Sequence, residues 1–543
     1  MNILIGGAWP YANGSLHVGR ISSVLPGDVI ARYYRAKGDN VLYVSGSDCH
    51  GTPIAIRAKK ENIKPGAITD KYHKEFKYCF DKLGFSYDYY SRTDDEYHKK
   101  EIEKIVKKLY KNGFIYEKEV KQLYCEHCNQ FLPDRYVEGT CPVCGNKARG
   151  DQCDSCQTIL EPLELNNRKC KLCGEEPVVK SGKQLYFALS KFQQTLKKYF
   201  DKTKSEWRLN AVNNTERYLK EGLRDRAISR NLDWGIDVPI EGYEDKKIYV
   251  WIDAVLGYLT VSKKWGEENH KDWKKFWDKD ARSYYIHSKD NIPFHTVILP
   301  ALLSEIGIEK LPDRVVSSEY VTLEGKKIST SNNWAVWVPD IIEKYNPDAI
   351  RYFLISNGPE RRDTDFSFRE FIKKNNNELL SAYGNLVNRT LVFVNKYFDN
   401  FVPEGEEDEA LKKSILELYV NIGDKIEHGE LKNAVDEVFE FIRSINKYFD
   451  ENTPWVTIKS DKKICGNVIY NCLNAIANIA NILEPFLPFS SHKIKHWLEF
   501  NVDKFEYFSL ECGKQIGEFE ILFERLDKKI IEEEEIKLQA KKG

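Results

Sequence analysis

Eight of the 13 cysteines in this 543-residue chain form four Cys-x-x-Cys pairs: Cys125/Cys128, Cys141/Cys144, Cys153/Cys156 and Cys170/Cys173. Two thiolates at that spacing can grip one side of a tetrahedral zinc ion, so four pairs predict two structural four-cysteine sites with no open coordination position. Disulfides are the poorer reading. Met1 to Gly7 carries no basic region ahead of its apolar stretch, so a cytoplasmic location, where thiols stay reduced, is expected. A redox role would want one pair at a helix start rather than four in a Gly-rich stretch. The other five cysteines are scattered and read as small apolar residues.

Two segments could handle phosphate. Pro10-Tyr11-Ala12-Asn13-Gly14-Ser15-Leu16-His17-Val18-Gly19-Arg20 joins an apolar run to a stretch of helical period, where free N–H groups and the helix dipole favour an anion and His17 and Arg20 add donors. Gly325-Lys326-Lys327-Ile328-Ser329-Thr330-Ser331 is a cationic Gly loop of the kind that closes over a triphosphate and stabilises charge as pyrophosphate leaves. Neither is one of the two common phosphate loops, Gly-x-x-x-x-Gly-Lys-Ser/Thr or Gly-x-Gly-x-x-Gly, which the chain lacks.

The elements that must position these residues follow from the apolar pattern. Asn2 to Ala8, the turn Trp9 to Gly14, Leu16 to Ala36 and Val41 to Ser45 read as strand, loop, helix and strand. That order predicts a parallel sheet with ligands at the carboxyl ends of its strands. From about 115 to 180 the texture turns to Cys, Gly, Pro and charge, as in an inserted metal-organised module. Apolar runs at Ile248 to Thr260 and Tyr284 to Ile286 then predict that the sheet resumes. After residue 370, Leu431, Val435, Val438, Ile442 and Ile445, then Ile469, Leu473, Ile476, Ile479 and Leu483, recur at helical spacing and predict an antiparallel bundle. Asp527 to Gly543 is nearly all charge and reads as a solvated helix or frayed tail.

With these residues in view, the His-Val-Gly-Arg and Lys-Ile-Ser-Thr-Ser segments resemble the HIGH and KMSKS signatures of class I aminoacyl-tRNA synthetases. Pro-Tyr-Ala-Asn-Gly-Ser, Gly46-Ser47-Asp48-Cys49-His50-Gly51-Thr52-Pro53-Ile54 and Tyr249-Val250-Trp251-Ile252-Asp253-Ala254 resemble the methionyl-tRNA synthetase family. The likeness runs from residue 2 to about 500.

The resemblance implies formation of methionyl-adenylate from ATP, with Mg²⁺, and methionine, then transfer to the 3′-terminal adenosine of tRNA(Met). It implies a Rossmann-like α/β catalytic domain over 1–114 and 183–318, split by a zinc-binding insertion over 115–182. A KMSKS-loop and stem-contact region over 319–370, an all-α anticodon-binding bundle over 371–510 and a charged tail over 511–543 would follow.

Carried over by position, His17, Gly19, Arg20, Lys327 and Thr330 would serve ATP, mainly by positioning and electrostatics. Arg20 stands where the signature has its last His, and Thr330 replaces the second Lys, losing a charge for which Lys326 could compensate. Tyr11, Trp251, Ala254, Val255, Tyr258 and His295 would line an aromatic thioether pocket, with Trp9 nearby. Asp48 would bind the α-ammonium, and Arg230 would brace the site. Nesting Cys141, Cys144, Cys153 and Cys156 inside Cys125, Cys128, Cys170 and Cys173 fits the family, and sequential pairing is the alternative. Asn385 and Arg389, on one helical face, with the plane of Trp455, resemble the elements that read a CAU anticodon.

Composition bounds the rest. A chain 42% hydrophobic and 30% charged is globular rather than disordered, and a formal charge of −1 announces no polyanionic partner. No apolar run is long enough for a membrane helix, and the short extent beyond the bundle implies a monomer. A branched-aliphatic synthetase would need an editing insertion that roughly 65 Cys-rich residues cannot hold. A non-catalytic zinc-module RNA-binding protein would not need two phosphate loops on a split parallel sheet.

Overall fold

The computed structural model describes residues 1–132, 136–150, 153, 155–156, 160–330 and 333–540. Ser331, the last residue of the cationic loop, and the last three residues of the tail lie outside them. Five strands, β1 (Asn2–Gly7), β2 (Asn40–Ser47), β3 (Tyr89–Arg92), β4 (Arg282–Ser288) and β5 (Arg314–Ser318), form a parallel sheet in the order β5-β4-β1-β2-β3. The order reverses at β1, so the loop leaving that strand opens into the crevice where such sheets bind ligands. Both faces are covered, and alternate side chains of one strand enter different cores. Ile3, Ile5 and Tyr43 join the core under α1 (Val18–Ala36), whereas Leu4, Leu42 and Val44 join the core under α2 (Val250–Glu268).

The run at Ile248 to Thr260 does not extend the sheet. It begins α2, and the sheet resumes at β4 and β5 instead. The cause is the near-continuous burial of the run's middle: Ile252, Val255, Leu256, Tyr258 and Leu259 are all within 6% exposure, and Val255 to Ser262 has no exposed position to mark an amphipathic period and separate it from a buried strand.

The insertion rises on a long antiparallel hairpin, Ile115–Cys125 against Val178–Phe187, in register from Ile115↔Phe187 to Tyr124↔Val178. Beyond it a three-stranded sheet surrounds a small core in which Cys125, Cys141, Cys153 and Cys170 are themselves members. Such a core is too thin to order the segment by burial alone.

The C-terminal part is a helical bundle, as its period predicts. Leu431, Val435, Val438, Ile442 and Ile445 of helix Leu431–Glu451 and all five predicted residues of helix Lys462–Leu483 are buried. Arg351 fixes the bundle against the sheet. Its buried guanidinium pairs with Asp28 of α1 at 2.7 Å and donates to the carbonyls of Leu83, Pro485 and Phe486. Four asparagines on helix Lys462–Leu483, Asn471, Asn474, Asn478 and Asn481, face the core and hold the backbone of Glu406, Leu510, Phe508 and Lys504 respectively. The charged C-terminal segment is not a frayed tail. Helix Lys529–Ala540 returns to pack on helix Phe368–Lys374, burying Leu538 and pairing Glu534 with Lys344 at 2.8 Å.

Candidate active site

The first loop closes across the end of β2. Ala12 N donates to Asp48 O at 2.8 Å and Asp48 N to Pro10 O at 2.9 Å, so Tyr11 and Asp48 lie side by side. His17 is the N-cap of α1 without a side-chain capping bond, and no acidic residue occupies the first turn, which leaves the positive end of the dipole uncompensated. The Arg20 guanidinium turns back to the Tyr11 carbonyl at 3.2 Å. Burial, then the nearby Arg20 charge, lowers the His17 pKa to about 3, so the ring is a neutral imidazole.

The second loop meets the first. Val18 N donates to Val336 O, Val338 N donates to Leu16 O, and Ser329 and Trp334 exchange backbone bonds at 2.9 Å to close the cationic turn. A Cβ placed on Gly19 would lie 3.1 Å from the His17 ring and 3.4 Å from the Ile328 side chain, so a side chain here would crowd both. Lys327 sits on the two-residue strand Lys326–Lys327, paired with Val321–Leu323, and both lysines and Thr330 are exposed. The sequence separates these loops by about 300 residues; the fold joins them at the mouth of the crevice.

The neighbouring aromatic cluster is built from α2 and the turn after β4. Trp9 lies flat between two chain segments: a Cβ added at Gly46 would overlap its ring, and one at Gly257 would fall 2.6 Å from it, so both must be glycine. Its ring stands edge-on to Tyr258 at 6.4 Å. His295 donates from Nδ1 to the Asn291 carbonyl at 2.9 Å, which leaves Nε2 to accept the Tyr258 hydroxyl at 2.9 Å. Burial, then the stacked His287 ring 4.1 Å away, holds His295 well below the usual range and therefore neutral. His295 lies on a π-helical turn, Phe294–Ile298, whose widened spacing turns the ring inward. Val255 and Tyr258 are buried, Ala254 is half-buried, and Trp251 stands at the rim, 38% exposed and 4.2 Å from the Phe294 ring. Arg230 stacks on Tyr249 at 4.0 Å, at the start of α2.

Asp48 is nearly buried, and desolvation, then the Asp253 carboxylate, pushes its pKa well above the usual carboxyl range. Among the described residues, the buried Trp9 Nε1, His17 Nδ1, His50 Nε2 and Asp253 Oδ1 have no hydrogen-bond partner, a concentration of unused polarity expected of a ligand site rather than a packed core.

Comparison with known proteins gives the family. Residues 3–391 match the family model for tRNA synthetases class I (M), and residues 402–542 match the anticodon binding domain of methionyl tRNA ligase. The chain is 66% identical over 538 residues to Methionine--tRNA ligase 1 of Alkaliphilus oremlandii, covering 99% of this chain and 100% of that one. It is 56% identical over 540 residues to Methionine--tRNA ligase of Bacillus mycoides, covering 99% of each. This chain belongs to the methionyl-tRNA synthetases. It is an aminoacyl-tRNA ligase of the class I fold. A solved structure of Mycobacterium tuberculosis methionyl-tRNA synthetase bound by methionyl-adenylate shares the architecture at a TM-score of 0.81 and 23% identity, covering 96% of this chain and all of that one.

In this methionyl-tRNA synthetase the eight cysteines gather in the nested arrangement. Cys125, Cys128, Cys170 and Cys173 form one group and Cys141, Cys144, Cys153 and Cys156 the other, with ligand atoms in each within 4.8 Å of one another. Sulfur separations of 3.5 Å for Cys125–Cys173 and 3.9 Å for Cys128–Cys170, and of 3.7 and 3.6 Å for Cys141–Cys156 and Cys144–Cys153, bracket the roughly 3.8 Å edge of a tetrahedral zinc thiolate. The backbone N–H of Glu175 helps hold the Cys173 thiol down to about 7, near its ligating form. Both groups fit a thiophilic ion with four closed positions.

The bundle brings Arg389 and Trp455 to one aromatic ring. Arg389 stacks on Phe449 at 4.2 Å, and Trp455, 47% exposed, lies 6.3 Å from the same ring. Asn385 is exposed on the same helix, Asn385–Tyr397. Arg389 is already engaged, pairing with Asp450 and donating to Asn446 O, each at 2.7 Å.

Three residues packed at the turn after Asp48 have no role in the sequence reading: His50, Asp253 and Trp234. The first two sit inside quoted motifs, Gly46 to Ile54 and Tyr249 to Ala254, and that placement was the available signal. Trp234 had none.

Proposed function

We propose that the two loops and the Asp48 pocket carry out both half-reactions of methionine charging. The supporting observation is the contact between the two loops: Gly19 lies against the Ile328 side chain and His17 pairs with Trp337, while Tyr11 of the first loop lies beside Asp48. The carboxylate of methionine attacks the α-phosphorus of ATP and pyrophosphate departs. His17 donates an N–H to phosphate oxygen as a neutral imidazole, the N–H groups of α1 add to it, and Lys327 with the Thr330 hydroxyl meets the charge on the leaving group. Gly19 keeps the approach open, and Arg20 holds the first loop through Tyr11. Mg²⁺ accompanies ATP and spreads its charge.

Asp48 receives the ammonium of methionine. An ammonium beside it restores the ionised carboxylate, so binding and charging of Asp48 are linked. Tyr11, Trp251, Ala254, Val255, Tyr258 and His295 surround the thioether with Trp9 behind them, and Arg230 braces Tyr249. The terminal adenosine hydroxyl of tRNA(Met) then attacks the methionyl carbonyl of the adenylate, the new ester forms as the bond to AMP breaks, and AMP departs. Asn385, Arg389 and Trp455 read the CAU anticodon, with Arg389 exchanging Asp450 for a base edge. Both four-cysteine groups bind zinc, which supplies the folding energy that the small core of the insertion lacks. The protein acts as a cytoplasmic monomer. Among the described residues no helix is long and apolar enough to cross a membrane.

ATP–pyrophosphate exchange with each of the twenty amino acids tests the pocket: exchange with methionine alone is expected, and exchange with another amino acid overturns the assignment. Refolding with a strong zinc chelator should leave the insertion unfolded, and zinc analysis should return two ions per chain.

A further inference from the structure

The carboxylate of Asp48 lies in the turn between β2 and the helix Thr52–Glu61, where regular structure has ended. What holds this turn comes from three distant parts of the chain. The Tyr11 hydroxyl donates to the His50 carbonyl. Trp234 Nε1 donates to Cys49 O at 2.7 Å, and its ring meets the His50 ring edge-on at 5.6 Å. His50 Nδ1 lies 3.0 Å from Asp253 Oδ2, a contact between residues 203 apart in sequence, and His50 N reaches Asp48 Oδ1 at 3.4 Å.

His50 and Asp253 are 1% and 0% exposed. A buried carboxylate opposite an imidazole is a costly way to fill space, since an apolar pair of similar volume would pack there without desolvation. Its return is direction. Asp253 belongs to α2, the helix that also carries Ala254, Val255 and Tyr258, so the pair links the thioether side of the pocket to the turn that presents Asp48.

We propose that His50 and Asp253 are positioning residues for the amino-acid site: their hydrogen bond fixes the His50 backbone N–H that aims the Asp48 carboxylate at the ammonium of methionine. The proposal rests on the reading of Asp48 as the ammonium ligand.

The test compares two inhibitors of pyrophosphate exchange: methioninol, which keeps the ammonium, and 4-(methylthio)butanoate, which lacks it. His50→Ala and Asp253→Asn should raise the KM for methionine and the inhibition constant of methioninol roughly tenfold, while the desamino acid and the KM for ATP stay within about twofold. His50→Asn, whose amide can replace the Nδ1 donor, should recover most of the loss. Equal weakening of both inhibitors and of ATP would reveal a merely structural pair and overturn the proposal, as would no change in either. Asp48→Asn separates the two readings. If it does not discriminate between the inhibitors, the ammonium assignment fails; if it does while His50→Ala and Asp253→Asn do not, the positioning role alone fails. Should His50→Ala not fold, Asp253→Asn carries the same comparison, because it conserves volume.

Discussion

The two loops that meet at the crevice are built in opposite ways. The first is fixed: its backbone is stitched to Asp48, Arg20 is turned onto Tyr11, and the His17 ring packs over Gly19. The second is a short turn closed by the Ser329–Trp334 bonds, with Lys326, Lys327 and Thr330 exposed. The difference teaches a division of labour. A group that must stay neutral and aimed is placed where burial fixes its protonation and rotamer, whereas a charge needed as pyrophosphate forms is kept in water until substrate brings it in, avoiding the cost of burying it unpaired.

If that division holds, the fixed loop should be the more damaging one to break. His17→Ala should cut the exchange rate roughly 100- to 1,000-fold, the loss typical of one preorganised donor to developing charge, with little change in melting temperature. A loss below about tenfold would show that the ring is packing rather than chemistry.

Lys327→Ala should cost less, roughly 10- to 100-fold in kcat, with the KM for methionine unchanged, because the charge acts on the leaving group and is absent from the amino-acid site. Steady-state exchange at varied methionine separates the two constants. A rise in that KM with kcat intact would place Lys327 on the ground state and dissolve the distinction between the loops.

The parts that were legible in the sequence are the local ones. The first loop, the cysteine pairs and the bundle are each written within a few turns of chain, so residue type and spacing name them. The parts that were not legible depend on closure. Spacing alone leaves the cysteine pairing open; it is the hairpin Ile115–Cys125/Val178–Phe187 that brings Cys125 and Cys128 to Cys170 and Cys173. α2 shows no period from Val255 to Ser262 because that stretch is buried throughout. His50 and Asp253 are ordinary until the sheet places one against the other. The C-terminal helix hides Leu538 and a paired Glu534 within a run of charge.

The fixed loop also carries a pH dependence that the exposed one lacks. It sits among buried imidazoles: burial chiefly lowers His98 to about 3 and His287 to about 4, as it does His17. Each is neutral when folded and binds a proton near pH 6.5 when unfolded, so the unfolded state takes up more protons between those values and stability falls as pH drops through that window. Urea midpoints at pH 7.5 and 5.5 should differ, with about 1 kcal/mol from each such histidine. His98→Gln should reduce the slope, since His98 is nearly fully buried and bonded to Thr260 at 2.7 Å. A slope unaltered by that change would mean that acid acts elsewhere.

The smallest effect concerns the departure from the KMSKS signature at Thr330. Neighbouring residues on a strand point to opposite faces, so Lys326 and Lys327 cannot both address one phosphate, and Lys326 lies over the Trp334 ring at 5.5 Å. On that geometry Lys326 is expected to be a poor substitute for the missing second cation. Thr330 is exposed, so a longer side chain there meets no packing barrier. Thr330→Lys should raise the exchange kcat by roughly threefold, the scale of one added solvent-screened charge, and Lys326→Ala should leave it within about twofold. If instead Thr330→Lys changes nothing while Lys326→Ala is slow, the turn reverses on binding ATP. The exposed loop would then differ from the fixed one in fold as well as in solvation.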